Sequence, residues 1–208
     1  MKALIDRAIE AGTTRFVLLS SSALAEGGPA MGMVHPYLRE RAAQWAVLQP
    51  SWFMQNFLGQ HAAGIRDEDA IYSATGAGRV PFIDTDDIAH AAFRILTDEA
   101  PHNRAYVLTG PEALTYGDTA EIIGKARGKP VRHVAVSAEV LGARLRERGI
   151  PAQYAAMLAA MDAAIAGGAE DRITESVQLL TGRPARDFKS FAEANAGAWR
   201  CQGPELQG

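Results

Sequence analysis

The chain has 208 residues, 48% hydrophobic and 22% charged, with a formal net charge of −3. That is enough apolar material for one globular domain with a sizeable core, and the charge gives no reason to expect a nucleic-acid partner. One cysteine, Cys201 in a polar tail, excludes a disulfide framework or a multi-cysteine metal site within the chain and suits a reducing compartment.

No apolar stretch approaches the roughly 18 residues of a membrane span. The first residues lack the basic start, apolar run and small-residue cleavage site of a signal peptide. A cytoplasmic protein with no membrane partner is expected.

Ala3, Leu4, Ala8 and Ile9 recur at helical spacing and Gly12 follows, so the chain opens on a helix. Phe16-Val17-Leu18-Leu19 is a continuous apolar run, the pattern of a parallel strand covered on both faces. Ser20-Ser21-Ser22 stands at its carboxyl end. After Glu26-Gly27-Gly28-Pro29 a helix is predicted around 34–43, then a second strand, Trp45-Ala46-Val47-Leu48, stopped by Pro50. Strand, helix and strand with short connections imply a right-handed parallel crossover.

A helix from about Asp86 to Leu96, capped by Asp84 or Thr85, leads to a third strand over Ala105 to Thr109. Beyond Gly110-Pro111 the pattern turns helical. Thr115 and Asp118 form a capping pair for a helix that stops at Gly128, and Val131 to Val136 is a short strand. Ser137 caps a helix ending at Gly149. Pro151 starts another, with Tyr154, Met157, Leu158, Met161 and Ile165 as its apolar stripe. Helices near 173–181 and 187–199 finish the chain.

Ligands of open parallel sheets bind outside the carboxyl ends of the strands. The hydroxyls of Ser20-Ser21-Ser22 therefore suit a ribose or a carbonyl, or simply satisfy a polar turn. Pro50-Ser51-Trp52-Phe53-Met54-Gln55-Asn56-Phe57 carries aromatics, a methionine and amides that line a flat-ring pocket or pack as core. His35 is a candidate proton donor or a surface histidine. Tyr37 with Arg41 four residues on is similar to the Tyr-x-x-x-Lys dyad of short-chain dehydrogenases, with the bulkier, forked arginine in place of lysine. Asp84, Asp86 and Asp87 read as helix capping, and no metal site is expected.

The stretches Arg15-Phe16-Val17-Leu18-Leu19-Ser20, Trp45 through Phe57, Ile71-Tyr72-Ser73-Ala74-Thr75-Gly76, Asp86-Asp87-Ile88-Ala89, Leu114-Thr115-Tyr116 and Met161-Asp162-Ala163-Ala164-Ile165 together resemble NmrA-like atypical short-chain dehydrogenases. The resemblance is strongest to the ergot alkaloid reductase subgroup that includes festuclavine dehydrogenase.

It implies an α/β fold: a partial Rossmann-like doubly wound parallel sheet without its N-terminal strands, and a mostly helical substrate subdomain. The expected division is a cofactor-binding half over 1–110, a substrate side over 111–200 and a tail over 201–208. The implied activity is NAD(P)H-dependent reduction of an imine, enone or quinone-like small molecule, with NADP favoured over NAD. The alternatives are a regulatory protein that senses NADP without turnover, or an inactive scaffold.

In that family frame Ser20 and Ser21 approach the nicotinamide ribose, Pro50, Ser51, Trp52 and Phe53 pack on the nicotinamide, and Asn56 faces substrate. Tyr37 and His35 are the catalytic candidates. Full-length relatives begin with a strand and a glycine-rich turn, and no Gly-x-Gly-x-x-Gly unit between strand and helix is present here. Gln49 replaces the usual arginine before the proline, and Met31 the lysine of some relatives. A first strand without its neighbours has a bare edge, so a homo-oligomer is expected.

Overall fold

The computed structural model describes residues 1–200; the tail over 201–208, with Cys201, lies outside the described residues. In chain order the elements are α1 (Lys2–Glu10), β1 (Arg15–Leu19), α2 (Val34–Arg41), β2 (Gln44–Pro50), α3 (Ala62–Glu68), β3 (Ala70–Ser73), α4 (Thr85–Thr97) and β4 (Arg104–Leu108). There follow α5 (Tyr116–Arg127), β5 (Arg132–Ala135), α6 (Ala138–Glu147), α7 (Ala152–Ala166), α8 (Ser176–Thr181) and α9 (Phe188–Ala194). The described residues group into two compact units that interleave along the chain: Met1–Phe53 with Ile83–Pro111 and Ile173–Arg186, and Met54–Phe82 with Glu112–Arg172 and the described residues from Asp187 onward.

The first unit is a parallel sheet in the order β1-β2-β4. The middle of the central strand β2, Trp45-Ala46-Val47-Leu48, is apolar because both of its faces are covered. Ala46 and Leu48 pack with Ile88, Ala91 and Ile95 of α4 and with Val177 and Leu180 of α8. Val47 faces the other way, onto Ile5 of α1 and Val34 and Leu38 of α2. Each such buried Leu, Ile or Val side chain contributes about 2 kcal/mol.

Pro50 ends β2 from inside the ladder, paired with Leu108, and its carbonyl accepts from the Ser22 N–H. The strand therefore runs two residues past Leu48, and a proline is tolerated at its end. Arg15 clamps the carboxyl end of α4, donating to the carbonyls of Leu96 (3.1 Å), Asp98 and Glu99 (3.2 Å), where the helix dipole favours a cation. On its outer side β1 has no strand neighbour among the described residues, and Leu19 is 51% exposed.

The second unit holds a two-stranded parallel sheet, β3 with β5. The strand predicted over 131–136 is thus present, and it pairs with β3, four residues that periodicity alone did not single out. The core of this unit is aromatic. Phe57 stands edge-on to Phe82 (5.2 Å between centroids) and Phe188 (5.0 Å), and Trp199 Nε1 donates to the Phe57 carbonyl at 2.7 Å.

The predicted caps are present. Asp84 accepts from the Asp86 N–H, Ser137 from the Val140 N–H, and Thr115 and Asp118 form a reciprocal capping box. On α7 the buried face differs from the predicted stripe: Ala155, Ala159, Asp162 and Ile165 turn inward, while Tyr154 and Met157 are 50% and 46% exposed. Small side chains let α6 approach closely, through Leu141 and Leu145.

Candidate functional site

Hydrogen bonds continue past the strand ends of the first unit and align the segments that follow β1, β2 and β4. The Ser20 N–H donates to the Leu48 carbonyl at 2.8 Å, that of Ser22 to Pro50 at 3.0 Å and that of Ser51 to Leu108 at 2.9 Å. Ser20, Ser21, Pro50, Ser51 and Trp52 therefore stand along one edge, the carboxyl edge of the sheet. Ser51 is buried; Ser20, Ser21, Trp52 and Phe53 are half-buried.

The segment after β2 divides between the two uses its composition allows. Phe53 leans on the sheet core and bridges to Ile83, whose N–H donates to the Trp52 carbonyl. Met54 and Phe57 are fully buried core of the second unit. Asn56, also in the second unit, is half-buried, and its carbonyl accepts from the His61 N–H at 3.1 Å.

Sequence reasoning missed two residues that shape this edge. Gln49 Nε2 donates to the Leu24 carbonyl at 3.0 Å, holding the serine loop against β2. Thr109, directly after β4, accepts from the Thr174 N–H at 2.9 Å, so its hydroxyl anchors the 173–186 segment. Position at a strand's carboxyl end was the available signal for Thr109. Gln49 had only its departure from the family arginine.

The two catalytic candidates separate. His35, on the first turn of α2 and only 4% exposed, places Nε2 2.7 Å from Ser20 Oγ. Its burial lowers the imidazole pKa below the usual range, against a smaller opposing pull from Glu26. Tyr37 turns toward α1, where its hydroxyl donates to both carboxylate oxygens of Asp6 at 2.6 Å. Arg41 reaches the same carboxylate at 3.2 Å, and Lys2 Nζ lies 5.0 Å from the centre of the Tyr37 ring. The bond to Asp6 raises the phenol pKa, the opposite of what a dyad partner does for a proton donor.

Asp84, Asp86 and Asp87 do not converge. Asp84 caps α4 and pairs with Arg186 at 2.9 Å, and Asp87 accepts from the Arg186 N–H. Among the described residues no group of three or more His, Cys, Asp or Glu is arranged to hold a metal, and no helix is long and apolar enough to cross a membrane.

The model of the NmrA-like family matches residues 1–180. The chain is 46% identical over 199 residues to agroclavine dehydrogenase of Claviceps fusiformis, covering 94% of this chain and 69% of that protein. It is also 46% identical over 189 residues to the uncharacterized oxidoreductase YesF of Bacillus subtilis (strain 168), covering 90% of this chain and 66% of the other. It thus spans about two thirds of the length of these relatives.

Among solved structures, an NADPH-dependent quinone oxidoreductase from Escherichia coli, complexed with NADPH, superposes with a TM-score of 0.82 at 23% identity, over 93% of this chain and 69% of that one. That likeness carries the fold. With the matched model over most of its length and two relatives at 46% identity, the chain belongs to the NmrA-like family.

Proposed function

We propose that the chain serves an NAD(P)H-dependent reductase, and that the carboxyl edge of β1 and β2 is where hydride passes to a small unsaturated acceptor. One observation carries this reading: the ladder that runs beyond the strand ends lines up Ser20, Ser21, Pro50, Ser51 and Trp52 on one edge. In open parallel sheets that edge takes the ligand.

The side chains present fit a nicotinamide riboside. The Ser20 and Ser21 hydroxyls suit the ribose, and Pro50, Ser51, Trp52 and Phe53 offer a flat, mostly apolar wall with one buried hydroxyl for the ring. When bound, the cofactor supplies the hydride, and the protein's part is to orient the acceptor and exclude water. Asn56 is proposed as a substrate contact from the family resemblance alone. NADP is proposed as the favoured cofactor from the family resemblance, with NAD as the alternative, and a cytoplasmic setting suits either. The outer edge of β1, without a strand neighbour among the described residues, supports a homo-oligomer.

Calorimetric titration of the purified chain with NADPH and NADP, with light scattering on the same samples, tests the proposal. Saturable binding by a species larger than one chain is expected. No heat of binding at millimolar cofactor sinks the reductase reading for this chain, and a monomer throughout sinks the oligomer.

A further inference from the structure

Ser20 Oγ and His35 Nε2 are 2.7 Å apart directly after β1, on the edge assigned above to the nicotinamide riboside. His35 is buried and Ser20 half-buried. A hydroxyl has one donor and two acceptor sites, so Oγ can accept from Nε2–H and from a ribose hydroxyl and still donate its one proton to a substrate atom on its open side.

Hydride acceptors fall into two chemical classes. An iminium carbon takes hydride and becomes a neutral amine, with no proton required. A carbonyl or quinone takes hydride and is left with an anionic oxygen that must be protonated. A buried imidazole behind a hydroxyl serves only the second class.

We propose that Ser20 and His35 form a proton relay, and that the substrate is a neutral carbonyl or quinone acceptor rather than a preformed iminium ion. This rests on the reductase reading. The acceptor gains two electrons and one hydrogen as hydride from the reduced nicotinamide. Its oxygen then takes the Ser20 Oγ proton, Oγ takes the Nε2 proton of protonated His35, and water recharges the neutral ring.

The surroundings of His35 set the pH window. Burial lowers its pKa below the ordinary 6.5 of an imidazole, and Glu26, facing it from the loop after β1, works in the opposite direction. Glu26 is ion-paired to Arg39 of α2 at 2.7 Å, and where α1 meets α2 Asp6 and Arg41 pair with each other, with Lys2 over Tyr37. Turnover of a proton-requiring acceptor therefore rises as pH falls through a value below 6.5, and turnover of an iminium does not.

The test uses the full chain with NADPH, a soluble benzoquinone and a preformed cyclic iminium, in wild type, Ser20→Ala and His35→Gln. The ratio of kcat/KM for quinone over iminium is expected to fall about 100-fold in each variant. An unchanged ratio with iminium turnover intact overturns the relay and leaves the reductase reading standing. No turnover of either acceptor by wild type overturns both.

If His35→Gln does not fold, Ser20→Ala carries the comparison, since it removes one oxygen from a half-buried site. NMR titration of the His35 ring gives a readout independent of turnover: Ser20→Ala is expected to shift its midpoint, and an unmoved midpoint overturns the pair.

Discussion

Tyr37 shows how a residue can carry a family-like spacing and be put to another use. The Tyr-x-x-x-Arg pattern is satisfied on one face of α2, but Asp6 of α1 captures both side chains. Which face of α2 meets the sheet edge depends on where α1 lies, and Asp6 is 31 residues away from Tyr37 in sequence. We expect Tyr37→Phe to lower the thermal midpoint by a few degrees, through loss of a charge-assisted hydrogen bond, while hydride transfer stays within about twofold of wild type. A large fall in kcat with an unchanged midpoint contradicts that placement. His35 is the converse case: its residue type suggested proton chemistry, but only the fold shows that it is buried against Ser20.

Helices and strands of the first unit were legible because their signals are local. Apolar runs mark β1 and β2 and a capping residue marks α4, as the capping box marks α5 of the second unit. The helix α7 was harder to orient, being apolar nearly all round, so its sequence does not choose a face. Its face is chosen by what docks on it. Asp162 accepts the Ala74 N–H at 2.9 Å, and the Gly78 backbone lies so close to α7 that a Cβ there would overlap the Ile165 carbonyl and sit 2.9 Å from the Thr75 oxygen. Both neighbours are backbone and cannot move aside cheaply. Gly78→Ala should therefore cost about 3 kcal/mol of unfolding free energy in urea titrations, from overpacking. A loss under 1 kcal/mol would show that the 73–80 loop does not seat on α7 this way.

At the scale of the molecule, two buried groups of the second unit make opposing contributions to its pH dependence. Burial pushes the Asp162 carboxyl up from 3.8 to about 6, so it adds stability at low pH that is lost as pH rises through 6. Burial drives His61 down from 6.5 to about 4, so it adds stability above 6.5 that is lost as pH falls through 4. Each is worth roughly 3 kcal/mol, and between pH 4 and 6 the two slopes oppose. The slopes of Asp162 and His61 largely cancel from pH 4.5 to 6, leaving the gentler loss on acidification that the lowered imidazoles of His35 and His133 supply, before depressed carboxylates such as Glu68 and Asp187 add theirs at lower pH. Asp162→Asn keeps an acceptor for the Ala74 N–H but removes one slope, so its stability should fall more steeply than that of wild type as pH falls from 6 to 4.5. Equal pH profiles for the two proteins, measured by urea unfolding, would refute the compensation.

By itself the sequence determined the family, the parallel strands of the first unit and the serine and aromatic segments at their carboxyl ends, because strand runs, caps and motifs are written in neighbouring residues. The tertiary structure decided the rest: that β3 pairs with β5, that Phe57 is core, that Tyr37 belongs to Asp6 and that Ser20 holds His35. Those outcomes depend on contacts between distant segments competing for the same side chains, and no local window of sequence contains both competitors.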